Sequence, residues 1–545
     1  MNKDKKDQTA SRRGRNRFFF NNDGQSLLGW VMEAPIGENG LVRSTIDPLR
    51  DTQIDTLMWT LGTDPCKGIP NDRLSDWYSH NTSVGPRWGE DRTTFSTAGA
   101  WRIYENARDM IEKGLDPPAV VVNHGHEAGM DVFISMRVND MHDGRLGSID
   151  HRDISPNKRK HPDWLLGRLN VTAVGRNAGY SQFAYNFAMT EVREYKYALA
   201  REAIAAYDLD GFEMDFCRFP RYFPQGEARR QADKMTDLLQ RIRAALKEKS
   251  QSAGRKLKLS VRVPAQFEIA MNAGLDIRTW ISEGVVDFVV AGGQSGLHRM
   301  PSKEFLDAAE GTEVKVIAQC LGIFRRGRPL GSKVLWDEKE YFSDEMRRAT
   351  AALNWMAGYD GIYVFNNHFI EYAQTRSFDP RSWTELFDPK QMEHMDKHYI
   401  VDDSSDLGRD DVIVEMGTRT MPDQALPAEL WSPGEHATIA VHIADELQAA
   451  SKAGVLKSAT LRLMILHLTS LDGISIKVNG KNIPQEEAEI QFLFNECWLD
   501  IDAVSAGLRI GSNELTVAVE KRNPHISAPL SVATVEVLVK YNSET

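Results

Sequence analysis

From about residue 17 to 370, short apolar runs alternate with stretches whose apolar positions recur every three or four residues. The runs at 17–20, 54–60, 131–137, 209–216, 258–263, 285–291, 314–319 and 361–365 read as strands, because each is short, rich in β-branched or aromatic residues and bounded by polar or turn residues. Between them, Val192, Tyr195, Leu199 and Ala203 share one helical face, as do Ala232, Met235, Leu239, Ile242 and Leu246. Met346, Ala349, Leu353 and Met356 make a third face, ended by Gly358. Eight strands alternating with helices predict a (β/α)8 TIM barrel. No glycine-rich phosphate loop follows an early strand, which argues against an open dinucleotide-binding sheet.

Beyond the eighth strand the pattern changes. Asp-Pro pairs at 379–380 and 388–389 and the polar run at 402–406 mark a linker, after which β-rich runs at 438–442, 459–465, 474–478, 514–519 and 534–539 alternate with turn signals. Asn479-Gly480 directly after an alternating run predicts a hairpin. The expected organisation is a disordered arm at 1–16, a catalytic barrel at 17–395, a linker at 396–410 and a C-terminal β-sandwich at 411–545. The linker, especially 402–411, is the expected first site of proteolysis.

The most informative stretch is Leu209-Asp-Gly-Phe-Glu-Met-Asp-Phe-Cys-Arg-Phe-Pro220. Side chains alternate along a strand, so Phe212, Met214 and Phe216 take one face and Gly211, Glu213 and Asp215 the other. If the apolar face meets the helices, both acids point into the barrel. Two acids are buried in one strand only when they are paired, hydrogen-bonded or needed for chemistry.

Active sites of TIM barrels lie at the C-terminal ends of the strands. Those ends supply Asn21, Asn22 and Asp23, then Trp59 and Thr60, then Arg137, Asn139, Asp140, His142 and Asp143. They continue with Glu213, Asp215 and Arg218, then Arg262, Gln294, Gln319, and Asn366, Asn367 and His368. Carboxylates, amides and aromatics on one rim suit a sugar, whose hydroxyls take hydrogen bonds and whose ring stacks on aromatic faces. Trp77, Tyr78, Trp88 and Trp336 lie in or near expected loops and are further candidate platforms.

Tyr207-Asp-Leu-Asp-Gly-Phe-Glu-Met-Asp-Phe216, Arg137-Val-Asn-Asp140 and Gly358-Tyr-Asp-Gly-Ile-Tyr-Val-Phe-Asn366 resemble motifs of glycoside hydrolase-like TIM barrels, especially the family 10-like group of bacterial glycosyl hydrolases. That resemblance spans about residues 17–370 and implies that Asp215 is the catalytic carboxylate. The run Asp210 to Asp215 also nearly fits the chitinase pattern, but Cys217 stands where its catalytic glutamate belongs. For the second carboxylate, Asp140 and Glu213 rank first, ahead of Asp23 and Glu268. Expected substrate-binding residues are Asn22, Asp23, Trp59, Arg137, Asn139, His142, Arg218, Arg262, Gln294, Gln319, Asn366, Asn367 and His368.

Composition narrows the partners. The 545 residues carry a net charge of −11, which disfavours nucleic acid and anionic membrane, and 41% hydrophobic with 26% charged residues describe an ordinary globular chain. The N-terminal arm lacks a signal-peptide core, so the chain is expected to be cytoplasmic, or secreted with its leader removed. Four widely spaced cysteines make no zinc ribbon, and neither His124-Gly-His126-Glu127 nor the 139–143 segment has a metalloenzyme spacing, so neither metal nor cofactor is expected. Arg137, Arg218, Arg221, Arg262, Arg299, Arg325, Arg326 and Arg328 follow barrel strands. They point to an anionic, uronic or sulfated substrate, or else they balance the acids Asp140, Glu213, Asp215 and Glu268. The expected activity is hydrolysis of a poly- or oligosaccharide. The alternatives are a carbohydrate-binding protein on an inactive barrel and a polysaccharide lyase.

Overall fold

A computed structural model describes residues 13–22, 33–61, 98–141, 149, 154–167, 181–217, 219–293, 300, 303–320, 323–324, 340–341, 343–365, 385–401 and 426–542. Eight parallel strands close into a barrel: β1 (Phe18–Asn22), β2 (Thr56–Thr60), β3 (Asp131–Arg137), β4 (Gly211–Asp215), β5 (Lys258–Pro264), β6 (Phe288–Gly292), β7 (Lys315–Cys320) and β8 (Gly361–Phe365). β8 pairs with β1 in register Phe18 to Ile362, which seals the ring. The helical faces read from the sequence form Thr190–Ala206, Ala232–Ala253 and Asp344–Ala357. Gly358, left-handed at φ 93°, ends the last of these.

Strand alternation sorts the core into two compartments. Outward side chains such as Leu57, Val132, Ile134, Phe212, Met214, Val261 and Val289 join the large cluster beneath the helices. Inside, Phe19, Met58, Phe133, Phe288, Val290, Ile317, Tyr363 and Phe365 fill the barrel. Gly211 is required here, because a Cβ would lie 2.3 Å from the Phe133 ring and 2.6 Å from the Lys258 carbonyl oxygen. The barrel interior is filled with side chains and leaves no pore.

The arm is anchored where it meets the barrel. Arg13 pairs with Asp131 and Asp210, and the Asn16 amide donates to Thr56 Oγ1 and Asp131. Residues 13–16 therefore belong to the barrel floor, contrary to the expected arm boundary at 16, because buried carboxylates there need donors.

The second unit holds two antiparallel sheets, built from β9 (Lys397–Ile400), β10 (Ala428–Leu430), β11 (His436–Ile443), β12 (Leu456–Leu466), β13 (Gly473–Val478), β14 (Lys481–Ile483), β15 (Ala488–Leu493), β16 (Glu496–Asp502), β17 (Gly511–Lys521) and β18 (Leu530–Tyr541). One sheet runs β9-β18-β12-β16-β15 with β10 also on β18, and the other runs β11-β17-β13-β14. Asn479 and Gly480, at φ 50° and 80°, turn β13 into β14 as the Asn-Gly signal requires. β9 falls inside the expected linker yet pairs with the last strand, so the sandwich begins at Lys397. Ala349 and Leu353 of the last barrel helix enter the sandwich core beside Tyr399, and Met346 meets Ile400. Residues 402–411, the expected cleavage site, lie outside the described residues.

Candidate active site

The C-terminal end of the barrel is organised by three side chains in register on adjacent strands: Arg137 on β3, Asp215 on β4 and Arg262 on β5. All three point inward and are essentially inaccessible. One Asp215 oxygen accepts from Arg262 Nη2 at 2.8 Å and lies 3.9 Å from Arg137 Nε; the other accepts from the Cys217 backbone N–H at 3.0 Å. A carboxylate flanked by cations and a backbone amide keeps one orientation.

Arg262 is itself held in place. Its Nη1 donates to Gln319 Oε1 at 2.7 Å and to the Gly293 carbonyl at 3.3 Å, and its guanidinium lies 4.1 Å over the Phe365 ring. Gln319 closes the loop by donating to the same carbonyl at 3.2 Å. Gly292 makes room for that amide: a Cβ there would meet Gln319 Oε1 at 2.2 Å. Burial works against the Arg262 charge, but Asp215 outweighs it and holds the guanidinium's proton affinity well above the ordinary value.

Arg137 links the second carboxyl group. Its Nη1 lies 3.6 Å from Asp140 Oδ2 while its Nε faces Asp215. Both acids thus touch one guanidinium, which caps their separation at roughly 10 Å; the pairs used by glycosidases, about 5–5.5 Å for retention and about 6.5–9.5 Å for inversion, fall below that limit. The Lys158 ammonium donates to the Asp140 carbonyl at 3.1 Å.

Glu213 sits one step deeper. It is fully buried, with Oε1 accepting from Ser135 Oγ at 2.7 Å and Tyr363 Oη at 2.9 Å, and Oε2 from Ser260 Oγ at 3.4 Å. Burial first, and the charge of Asp215 second, push its carboxyl up to about 7. Glu213, expected among the catalytic carboxylates, thus stands one layer farther from the C-terminal end of the strand than Asp215. Cys217 is buried and its thiol is pushed up to about 12, so it supplies no acid in place of the glutamate missing from the chitinase pattern.

Other expected site residues separate clearly. Arg262 and Gln319 belong to the cluster around Asp215. Trp59 shares the outward phase of Leu57, is completely buried and packs in the outer core, so it offers no platform at the mouth. Asn22 has the outward phase of Phe18 and Phe20, leaving the inward place to buried Asn21. Asn139 is consumed by structure: its amide donates to the Tyr185 and Arg221 carbonyls and its oxygen accepts from the Tyr185 N–H. Glu268 stands exposed on the helix Phe267–Asn272, paired with Arg229. Asp23, His142, Asp143, Arg218, Gln294, Asn366, Asn367 and His368 lie outside the described residues, as do Trp77, Tyr78, Trp88, Trp336, Arg299, Arg325, Arg326 and Arg328. Sequence reasoning passed over Ser135, Ser260 and Tyr363, although all three have the inward phase of apolar strands.

No family model matches this sequence, and no curated protein matches it. Among solved structures, the chain is similar to an α-amylase from Geobacillus thermoleovorans complexed with acarbose, at 12% identity and TM-score 0.36 over 94% of this chain and 99% of that one. It is similar to the PgaB (BpsB) glycoside hydrolase domain from Bordetella bronchiseptica at 10% identity and TM-score 0.38, over 68% of this chain and 98% of that one. A third is a Paenibacillus cycloisomaltooligosaccharide glucanotransferase, at 10% identity and TM-score 0.34 over 96% of this chain; this chain spans only 57% of that enzyme. Likeness at this level is too distant to assign a reaction, so the functional reading stands on the geometry. Among the described residues, no group of three or more His, Cys, Asp or Glu side chains is placed to hold a metal ion.

Proposed function

We propose that this protein is a glycoside hydrolase, with Asp215 as the reacting carboxylate and Asp140 as its partner. The observation that carries the reading is the Arg137-Asp215-Arg262 row at the C-terminal ends of β3 to β5, with Asp140 on the same guanidinium as Asp215. Carboxylates in pairs are what cleavage of a glycosidic bond uses, one attacking the sugar or activating water and the other moving a proton. The fixed orientation of Asp215 fits the attacking or water-activating role. Asp140, nearer the rim, fits the proton-transfer role. The family 10-like resemblance of the β4 motif supports the same choice of Asp215.

The charge of the substrate is a separate matter. Arg137 and Arg262 face Asp140 and Asp215, so they serve the acids first, and the expectation of an anionic polysaccharide rests on the arginines at 325–328.

The test is incubation of the purified protein with neutral, uronic and sulfated polysaccharides. New reducing ends without unsaturated sugar support hydrolysis. Unsaturated, ultraviolet-absorbing products would make the protein a lyase, and binding without any product would make it a carbohydrate-binding protein.

A further inference from the structure

We infer that Glu213 is a proton-bearing positioning residue for Asp215, and that loss of its proton sets the alkaline limit of activity. The inference rests on the reading of Asp215 as the reacting carboxylate. It begins with the company Glu213 keeps. Among the described residues, its hydrogen-bond partners are neutral hydroxyls from three other strands: Ser135 on β3, Ser260 on β5 and Tyr363 on β8. The two guanidinium groups above it are directed at other acids, Arg262 at Asp215 and Arg137 at both Asp215 and Asp140.

Burial then bears on the state of Glu213. A carboxylate charge there would be fully desolvated, bonded only to neutral hydroxyls among the described residues and set one layer beneath Asp215. Hydroxyls suit both states, because each donates to a carboxylate or accepts from a carboxylic acid. The preference for the acid form agrees with a group pushed up to about 7 by burial and then by Asp215.

Among the described residues, the charged and titratable groups facing Glu213 come from four strands. On its own strand and just beyond, these are Asp215 and Cys217, whose thiol is pushed up to about 12. From β3 comes Arg137, and from β5 come Arg262 and, one layer below, Lys258, which donates to the Asn16 side chain. From β8 comes Tyr363, whose phenol is held well above its ordinary value by burial and then by Glu213. Once Glu213 ionises, its charge lies directly beneath Asp215, repels that carboxylate and competes for Arg262. Glu213 thereby governs Asp215 without touching substrate.

The sign of the accompanying stability change is fixed. The folded state keeps a proton that the unfolded chain, at the ordinary 4.5, has released. Stability therefore falls as pH rises from about 4.5 to about 7 and is level above that.

The experiment measures kcat and thermal midpoint against pH for the full chain and for Glu213→Gln, which keeps the shape and the hydrogen bonding but not the charge. The expected result is a wild-type rate that declines above about pH 7 and a variant several-fold slower at its optimum but without that decline. The wild-type midpoint should fall between about pH 5 and about pH 8, and the variant's should fall less. Tyr363→Phe removes one hydroxyl from the carboxylate form and should move the wild-type alkaline limb to higher pH, which keeps the inference testable if Glu213→Gln does not fold. The midpoint needs no substrate. Equal pH dependence of the midpoint in wild type and variant would overturn the inference while leaving the role of Asp215 standing. A midpoint that responds to Glu213 with an unchanged alkaline limb would overturn it as well.

Discussion

The two ends of the barrel both bury carboxylates, and the partners of those carboxylates set the ends apart. At the floor, acids at or just before strand starts bind the first amides of a neighbouring strand. Asp55 accepts from the Arg17 and Phe18 N–H groups, Asp210 from Val132, Asp287 from Leu259 and Asp360 from Val316. Basic side chains complete two of these sites: His126, Arg13 and Arg255 on Asp210, and Arg243 and Lys256 on Asp287. At the mouth, Asp215 receives one backbone amide and otherwise faces arginines from its two neighbouring strands. Acids at the floor close the sheet; Asp215 and Asp140 at the mouth close none of it.

Proton affinity follows the same partners and not simply depth. Burial opposes the charge of Asp210 and Asp287, but His126 and Arg243 lead the groups that hold both below the ordinary carboxylate value. Asp55 has only amides and a hydroxyl, and burial pushes it up to about 6. Glu213, hydrogen-bonded by hydroxyls and set beneath Asp215, rises further, to about 7. Of these four acids, the two bonded to basic side chains are held below the ordinary carboxylate value and the two bonded to amides or hydroxyls are raised above it.

The largest effect expected is from Asp215→Asn: a loss of at least about a thousandfold in kcat, about 4 kcal/mol, with the circular dichroism of a folded barrel. Unfolding accompanying that loss would move Asp215 from the chemistry to the framework. Asp140→Asn should cost about a hundredfold, about 2.7 kcal/mol, and a rate within twofold of wild type would remove it as the partner. At the floor, Asp210→Ala should leave kcat unchanged and lower stability by about 2 kcal/mol in urea titration, the partly exposed Arg13 and Arg255 contributing little of it. A drop in kcat at unchanged stability would erase the contrast between the ends. The smallest effect concerns acid: because Asp210 and Asp287 are held below the ordinary 3.8, their stabilisation is present above it and fades as pH falls further. Melting curves of the Asp210→Ala variant should therefore lose less stability than wild type between about pH 4 and about pH 2.

Periodicity made the barrel legible, since every expected barrel strand overlaps an observed one and the apolar faces of the helices Thr190–Ala206 and Ala232–Ala253 pack on the barrel; the face of Asp344–Ala357 read from the sequence instead turns Met346, Ala349 and Leu353 to the sandwich and leaves Met356 exposed. The inward direction of Glu213 and Asp215 was legible too, because alternation determines the face. Their order along one strand also puts Glu213 a layer below Asp215; which residues of other strands share each layer depends on stagger, so Ser135 and Ser260 beside Glu213 were not legible. Trp59 and Asn22 were judged by nearness to a strand end, and counting from their buried neighbours would have turned both outward. Asn139 stands beyond its strand, where no period applies, and its partners Tyr185 and Arg221 are distant in sequence. β9 was missed because four residues carry little pattern and its partner β18 lies at the far end of the chain.

The most direct measurement is hydrolysis in oxygen-18 water, comparing wild-type protein with Asp215→Asn on whichever polysaccharide the wild type degrades. The account predicts one labelled oxygen at each new reducing end with wild type and no labelled product with the variant. Labelled ends formed at comparable rates by both proteins, or unlabelled unsaturated ends from the wild type, would contradict it.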